Sequence, residues 1–381
     1  MRREASKIHV RGLALECALG RELPSAVDAL ERGEVRTTRL TIDALEPAVE
    51  MPFYRVGDGA ELGDPRRYLE MPLRVAREAL RSAGLSRAEL ERTALFIGTS
   101  SFAAGERDLA SFGPGSRRQL GFDPLASELC AELGLVDDAM LFNTACTASA
   151  VALVQALRML RLGQARNVLV LGIEICNRTT PAGFAGLQLV SEALRPFDRR
   201  RSGIVLGEGV GGVLLSLEPG PFALELRGGA TVLDHFSVTT ANPDGSSIEL
   251  VQRAALADAG VEPREIRAIN AHGTSSPMND VGEAAGILRL FGAPPPVCGL
   301  KSYVGHTLGA CGALELALFG AALLRGFVPN TALFGEPDPE LGLRPTECNV
   351  PAPEGDYLLN YFGFGGNNTS LVLTRSGPWR S

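Results

Sequence analysis

Cys146 stands in Asn143-Thr144-Ala145-Cys146-Thr147-Ala148-Ser149, between a short apolar run, Ala139 to Phe142, and a longer one, Ser149 to Leu162, that stops at Gly163. The first run reads as a buried strand. The second reads as a helix apolar nearly all round, with glycine at its end. A thiol at such a junction lies near the positive end of the helix dipole, which predicts a pKa lowered from about 8.5 toward neutrality and a reactive thiolate. The chemistry this suggests is nucleophilic catalysis by sulfur.

Histidine is scarce: the chain has only His9, His235, His272 and His306. His272 lies in Asn270-Ala271-His272-Gly273-Thr274, directly after a strand-like run, and His306 lies in the glycine-flanked stretch from Lys301 to Gly309. A lone histidine is more often a hydrogen-bonded structural residue, but two in glycine-rich loops beside a helix-start cysteine point to catalysis. His9 and His235 have no such setting and read as structural or surface residues. Glu315 sits among Ala313, Leu314, Leu316 and Ala317, where a carboxylate needs a cation or several donors. Lys301 is its candidate partner; the alternative is a partly exposed glutamate on an imperfectly buried helix. Only Lys7 and Lys301 are lysines, so a lysine in that motif suggests geometry arginine does not supply. Asn360-Tyr361-Phe362-Gly363-Phe364-Gly365-Gly366-Asn367-Asn368 permits a tight turn whose N–H groups converge on one oxygen. An ordinary β-turn and a phosphate cradle are the other readings of this stretch, although the strand–loop–helix context of a nucleotide site is missing.

Ten strand-like runs can position these residues: Ile8–Leu15, Thr93–Gly98, Met140–Asn143, Asn167–Ile175, Val210–Leu217, Ala223–Leu226, Ile266–Ala271, Val297–Gly299, Tyr357–Tyr361 and Thr369–Thr374. Helical patterns lie between them at Met71–Ala83, Ser149–Leu162, Ile248–Ala259, Gly282–Leu290 and Gly312–Leu324. The alternation predicts an α/β fold with sheets covered by helices. Cys146 precedes one apolar helix, and His306 with Gly309 precedes another that ends near Gly326. The echo suggests a duplicated unit: an N-terminal half, residues 1–218, with the cysteine, and a C-terminal half, residues 219–381, with the two histidines.

Composition narrows the class. A chain of 381 residues with 45% hydrophobic residues can bury a large core. A net charge of −7 argues against a nucleic-acid partner, while leaving room for a local basic patch that meets an acidic carrier. Seven cysteines, an odd number without zinc-ligand spacing, argue against a disulfide framework or a structural metal. The charged stretch from Met1 to Lys7 leads into a strand-like run rather than a signal-peptide core. Ala313–Leu324 is too short to span a bilayer and contains Glu315. A cytoplasmic protein is the expectation.

Four motifs, in order over most of the chain, resemble those of the β-ketoacyl-acyl carrier protein synthases, elongating condensing enzymes of the thiolase superfamily. They are Thr144-Ala145-Cys146, Asn270-Ala271-His272-Gly273-Thr274, Lys301 to Gly309, and Gly363-Phe364-Gly365-Gly366; Arg195-Pro196-Phe197-Asp198 and Gly207-Glu208-Gly209 also match. The resemblance implies a thiolase-like fold of two βαβαβαββ-type halves in five α-β-α-β-α layers. It implies that Cys146 accepts an acyl chain from a carrier-protein phosphopantetheine thioester. His272 and His306 would then hold the carbonyl of a malonyl carrier as decarboxylation creates an enolate, and the carbanion would attack the Cys146 thioester. Lys301 and Glu315 would organise the histidines. Cys146, Phe364 and Gly365 would form the oxyanion hole and acyl gate, and Thr274 and Gly366 would contact substrate. No bound cofactor or metal is implied. The implied partners are acyl carrier protein and a second subunit, as a homodimer or as a heterodimer with a related ketosynthase-like chain.

Several residues depart from the family pattern. Asn143 stands where many relatives have aspartate, Ser202 and Ile204 replace aspartate and phenylalanine, Tyr361 replaces serine and Asn367 replaces threonine. The stretch from Ser100 to Leu141 is short. These changes bear on acyl preference and leave specialised polyketide or polyene synthesis open beside fatty-acid elongation. A degradative thiolase would want a second cysteine in the last glycine-rich motif, and an initiating synthase an asparagine at position 306. A non-catalytic chain-length-factor-type subunit would lack the nucleophile.

Overall fold

The computed structural model describes residues 6–42, 47–57, 64, 66–102, 104–105 and 122–377. Much of the shortened stretch after Ser100, residues 106–121, lies outside them. The strands are β1 (His9–Glu16), β2 (Thr38–Ile42), β3 (Val49–Phe53), β4 (Thr93–Gly98), β5 (Ala139–Phe142), β6 (Asn167–Glu174) and β7 (Gly209–Ser216). They continue as β8 (Leu224–Leu233), β9 (Ile266–Asn270), β10 (Val297–Cys298), β11 (Phe327–Val328), β12 (Val350–Pro351), β13 (Gly355–Phe362) and β14 (Asn367–Arg375). Each of the ten runs read from the sequence is a strand of the large sheet, whose order is β10-β9-β13-β14-β8-β1-β7-β6-β4-β5.

The order contains the same arrangement twice. In β5-β4-β6-β7-β1 and in β10-β9-β13-β14-β8, each half's own strands run third, second, fourth, fifth, first. The pairing repeats as well: the outer strands are parallel, and the fourth, fifth and first are antiparallel. The halves join through β1 and β8, where His9 faces Glu225.

The principal helices are α1 (Leu23–Glu31), α2 (Arg67–Ala83), α3 (Phe122–Leu133), α4 (Ala148–Arg161), α5 (Thr179–Gly186), α6 (Ser246–Ala259), α7 (Pro277–Phe291) and α8 (Cys311–Arg325). Helices α2 and α3 cover the outside of the first half, and α6 and α7 the outside of the second; α4 and α8 pack between the sheets. That is the five-layered arrangement. It explains why β4, β6 and β7 are buried at every residue and apolar on both faces. It also explains the apolarity of α8. The run from Leu308 to Arg325 has the length and hydropathy of a membrane span, but 94% of it is buried inside the protein.

Close approach of the central helices requires glycine. A Cβ on Gly312 would stand 2.2 Å from the Ala150 nitrogen, and one on Gly98 would stand 2.3 Å from that of Ser149. Both central helices are entered through a short 3-10 turn, Ala145–Thr147 before α4 and Leu308–Ala310 before α8. The first residue of each turn is a non-glycine with positive φ, Ala145 at 51° and Leu308 at 43°. Such strain persists only where surrounding packing enforces it, and here it marks the same point of both halves.

Candidate active site

Cys146 is the middle residue of the turn that enters α4, at 5% exposure, in an apolar cluster with Phe53, Ile204, Leu206 and Leu308. Its thiol differs from the sequence expectation. Burial pushes it up to about 11, against the opposing pull of the Phe364 and Cys146 backbone N–H groups and the Lys301 charge. The helix-end effect is real but small beside the cost of a thiolate shut away from water. The Cys146 sulfur is therefore a neutral thiol at physiological pH.

His272 follows β9 in a loop fixed from behind. Its backbone N–H and that of Gly273 donate to the two carboxylate oxygens of Glu283 on α7, at 2.7 and 2.8 Å. The His272 Nδ1 is buried without a hydrogen-bond partner. His306 precedes α8, and its backbone N–H donates to the Val205 carbonyl at 2.8 Å. Its ring Nδ1 accepts from the Leu308 N–H at 3.3 Å. In a neutral imidazole this leaves the proton on Nε2. The two rings stand 5.5 Å apart at 86°. Burial, and then the Lys301 charge, hold both imidazoles well below their ordinary pKa of 6.5. Both are neutral at physiological pH.

Lys301 and Glu315 form a wholly buried ion pair, Nζ to Oε1 2.7 Å, so the partly exposed alternative for Glu315 does not hold. The second carboxylate oxygen accepts from Asn270 Nδ2 at 2.9 Å, in the residue pair that leads to His272. Burial works against the Lys301 ammonium, yet the neighbouring Glu315 carboxylate outweighs it and raises its pKa. Removing one partner of such a pair costs about 3–5 kcal/mol by stranding a charge.

The glycine-rich turn after β13 folds back over the cysteine. Phe364 stacks on Phe184 of α5 with ring centroids 6.0 Å apart at 23°. Gly365 has a φ of 79°, and its N–H donates to the Val238 carbonyl at 2.7 Å. That N–H is engaged elsewhere, so Gly365 supplies the conformation of this turn rather than a free donor. Gly366 is required sterically: a Cβ there would lie 1.9 Å from the Asp234 carbonyl oxygen.

Cys146, His272, His306 and Phe364 line a single cavity of about 300 Å³, which Phe184, Ile204 and Met278 make apolar on one side and Thr239, Thr274 and Ser276 make polar on another. Thr274 and Gly366 are both on its wall, and the Thr274 hydroxyl lies 3.0 Å from that of Ser276. Among the departures from the family pattern, Ser202 and Ile204 line the cavity, and Asn143, Tyr361 and Asn367 do not. Lys301 and Glu315 stand behind the histidines, outside the lining. None of the seven cysteines is in a disulfide; six are buried and Cys348 is exposed. Among the described residues no group of three or more metal-ligating side chains occurs.

Sequence reasoning missed the buried carboxylates that brace these loops. Glu174, at the end of β6, accepts from the Ser100 and Ser101 N–H groups at 3.1 and 3.0 Å and from the Gly309 N–H at 3.0 Å. Asp280 accepts from the N–H groups of Phe197 and Ser275 at 2.8 and 3.2 Å, and Glu283 holds the His272 loop as described. The available signal was an acidic residue inside an otherwise buried pattern, as in Gly172-Ile173-Glu174-Ile175.

Glu283 gives a pH test. Burial pushes its carboxyl up from 4.5 to about 7, against the pull of the Gly273 and His272 N–H groups. A raised carboxyl binds its proton more tightly in the folded chain, so its stabilising share is complete below pH 4.5 and is lost as pH rises through about 7. Glu283→Gln cannot titrate. Thermal unfolding between about pH 4.5 and 8 should show the unaltered protein losing stability relative to the variant as pH rises. A pH-independent difference would exclude titration at Glu283.

Residues 57–218 match the family described as beta-ketoacyl synthase, N-terminal domain, and residues 224–334 match its C-terminal domain. The tetracenomycin polyketide synthase ketoacyl synthase alpha subunit of Streptomyces glaucescens is 31% identical, with all of both chains covered. A 3-oxoacyl-[acyl-carrier-protein] synthase 2 of Staphylococcus aureus is 27% identical over 97% of this chain and 98% of the relative. Among solved structures, the ishigamide ketosynthase/chain length factor superposes with a TM-score of 0.85 at 28% identity, covering 98% of this chain and 100% of the other. A type II polyketide ketosynthase in complex with its acyl-carrier protein superposes with a TM-score of 0.87 at 22% identity, over 98% and 100% of the two chains, and shares the fold.

Proposed function

The chain belongs to the β-ketoacyl synthase family, and from that premise we propose how its own residues divide a decarboxylative condensation. The enzyme is an acyltransferase of the condensing type. The observation that carries the division of roles is one cavity onto which a turn-borne thiol and two neutral imidazoles open together.

In the first half-reaction the Cys146 sulfur attacks an acyl thioester on the phosphopantetheine of a carrier protein. The tetrahedral oxyanion accepts from the N–H groups of Cys146 and Phe364. Its collapse expels the pantetheine sulfur, which takes up the thiol proton. Because Cys146 rests as a neutral thiol, that proton leaves as the carbon–sulfur bond forms. In the second half-reaction a malonyl carrier enters, and its thioester carbonyl accepts from the His306 Nε2–H and from His272. Loss of CO₂ leaves an enolate held by the same donors. Its carbon attacks the Cys146 thioester, the new carbon–carbon bond replaces the carbon–sulfur bond, the expelled Cys146 thiolate takes up a proton from solvent to regain the neutral thiol, and a 3-oxoacyl carrier departs. Glu315 holds the His272 loop through Asn270, and the Lys301 charge adds to burial in keeping the imidazoles neutral. Phe364, stacked on Phe184, gates the acyl side of the cavity.

Acyl carrier protein is the partner this chemistry requires, and we place the enzyme in the cytoplasm. Among the described residues, strand β5 ends the sheet with one edge unpaired, and Met140 and Leu141 on it are 48% and 41% exposed. An exposed apolar edge strand favours pairing with a second subunit. A homodimer satisfies it; a heterodimer is the second reading, favoured by similarity to ketosynthases solved together with their chain length factors. A non-catalytic partner role fits poorly with a chain that keeps Cys146, His272 and His306 on one cavity.

The deciding experiment offers the purified chain a panel of acyl carriers with malonyl carrier, identifies products by mass and measures particle size. Condensation by the chain alone supports a self-sufficient enzyme. An inert chain that becomes active only with a related subunit supports the heterodimer. Acyl adducts with no condensation under either condition contradict the proposed roles.

A further inference from the structure

Nδ1 of His306 has a second neighbour besides the Leu308 N–H. The sulfur of Cys311, at the first residue of α8, lies 3.3 Å from it. Cys311 is wholly buried, and burial raises its thiol pKa far above the ordinary range, so the sulfur carries its proton. The Thr307 hydroxyl donates to the same sulfur at 3.5 Å, which engages the sulfur as an acceptor. A backbone N–H can only donate, so the Leu308 contact fixes Nδ1 as an acceptor and the thiol proton has Nδ1 as its partner. The result is a directed chain: Thr307 hydroxyl to Cys311 sulfur, Cys311 thiol to His306 Nδ1, and His306 Nε2–H outward to the cavity.

We propose that Cys311 is a positioning residue for His306. Its thiol, together with the Leu308 N–H, locks the imidazole in the Nε2–H tautomer and in the orientation that presents a donor to the substrate carbonyl. Two donors converging on one nitrogen do what one long contact does weakly. They oppose ring rotation, and they oppose the imidazolium, whose Nδ1–H would meet a backbone donor. The effect on turnover rests on the proposed condensation; the effect on the ring does not.

The test separates the two. The protein has only four histidines, so ¹⁵N-histidine NMR resolves individual rings. In Cys311→Ala the His306 Nδ1 resonance should move toward a weakly bonded acceptor, and Cys311→Ser, which keeps a donor, should return it most of the way. Decarboxylation of malonyl carrier should lose roughly three- to tenfold in kcat in the alanine variant, as expected for one hydrogen bond, with KM unchanged and the serine variant recovering. If the alanine chain fails to fold, a Cys311→Val variant of similar volume carries the same comparison. An unmoved His306 resonance in a folded donor-less variant overturns the proposal. A moved resonance in an enzyme that never decarboxylates malonyl carrier instead overturns the condensation reading alone.

Discussion

Replacing Cys146 with alanine should abolish acyl transfer from the carrier and reduce condensation by about three orders of magnitude or more, the scale of losing a covalent nucleophile. The alternatives are few in this cavity. Cys176 belongs to the same apolar cluster, but it is absent from the cavity lining and its backbone N–H is tied to Glu208. Cys311 faces the far side of His306. Alanine changes little else, because Cys146 sits in a turn whose strain is carried by Ala145 and which is closed by the Thr147 hydroxyl donating to the Thr144 carbonyl at 2.8 Å. Folding should therefore be intact, and loss of function reports the sulfur. Intact-mass analysis after incubation with acyl carrier is the measurement. An acyl adduct on the alanine chain would sink the assignment.

The neutrality of that thiol marks where the sequence stops being informative. Helix start, strand end and glycine stop are local patterns, and they placed Cys146 at the entrance of α4 correctly. Burial is a property of the whole fold, and it reverses the sign of the inferred pKa shift. The same boundary runs through the rest of the molecule. Most of the ten strands were legible because buried strands carry continuous apolar runs, but β5, expected to be buried, is a half-exposed edge strand, since an apolar run does not tell which strand ends the sheet. The duplication was legible because both central helices are apolar all round. The helix Leu23–Glu31, the helix Thr179–Gly186 and the hairpin of β2 and β3 were not read, since their patterns are short and mixed. His272, His306 and Phe364 were legible through their glycine-rich settings, and Cys146 through its place at a helix start. Glu283 was not, because an acidic residue on a helix ordinarily faces water. Only the tertiary structure brings its carboxylate under the His272 loop. Gly365 shows the opposite error: its freedom to turn was legible, and the Val238 carbonyl that takes its N–H was not.

Removing the imidazole of His306 should separate the half-reactions. His306→Ala takes away the Nε2–H that faces the malonyl carbonyl, and losing one preorganised donor to a developing oxyanion costs about a hundred- to thousandfold in rate. His272 remains, so decarboxylation is slowed rather than eliminated. Acylation draws on different donors, the N–H groups of Cys146 and Phe364, and should fall by less than about tenfold if oxyanion stabilisation there is preserved. CO₂ release from malonyl carrier, measured beside acyl loading by mass, gives the two numbers. Equal loss in both would contradict the division of roles. The pH dependence sharpens the comparison. Burial, and then the Lys301 charge, keep both imidazoles neutral well below pH 6.5, so once Glu283→Gln removes the titration near 7 behind the His272 loop, decarboxylation should be level from about pH 6.5 to 8. A rate that falls across that window with the apparent pKa of a free imidazole would mean that one histidine meets its substrate as a cation. That would break the link between burial of the site and a pair of neutral donors.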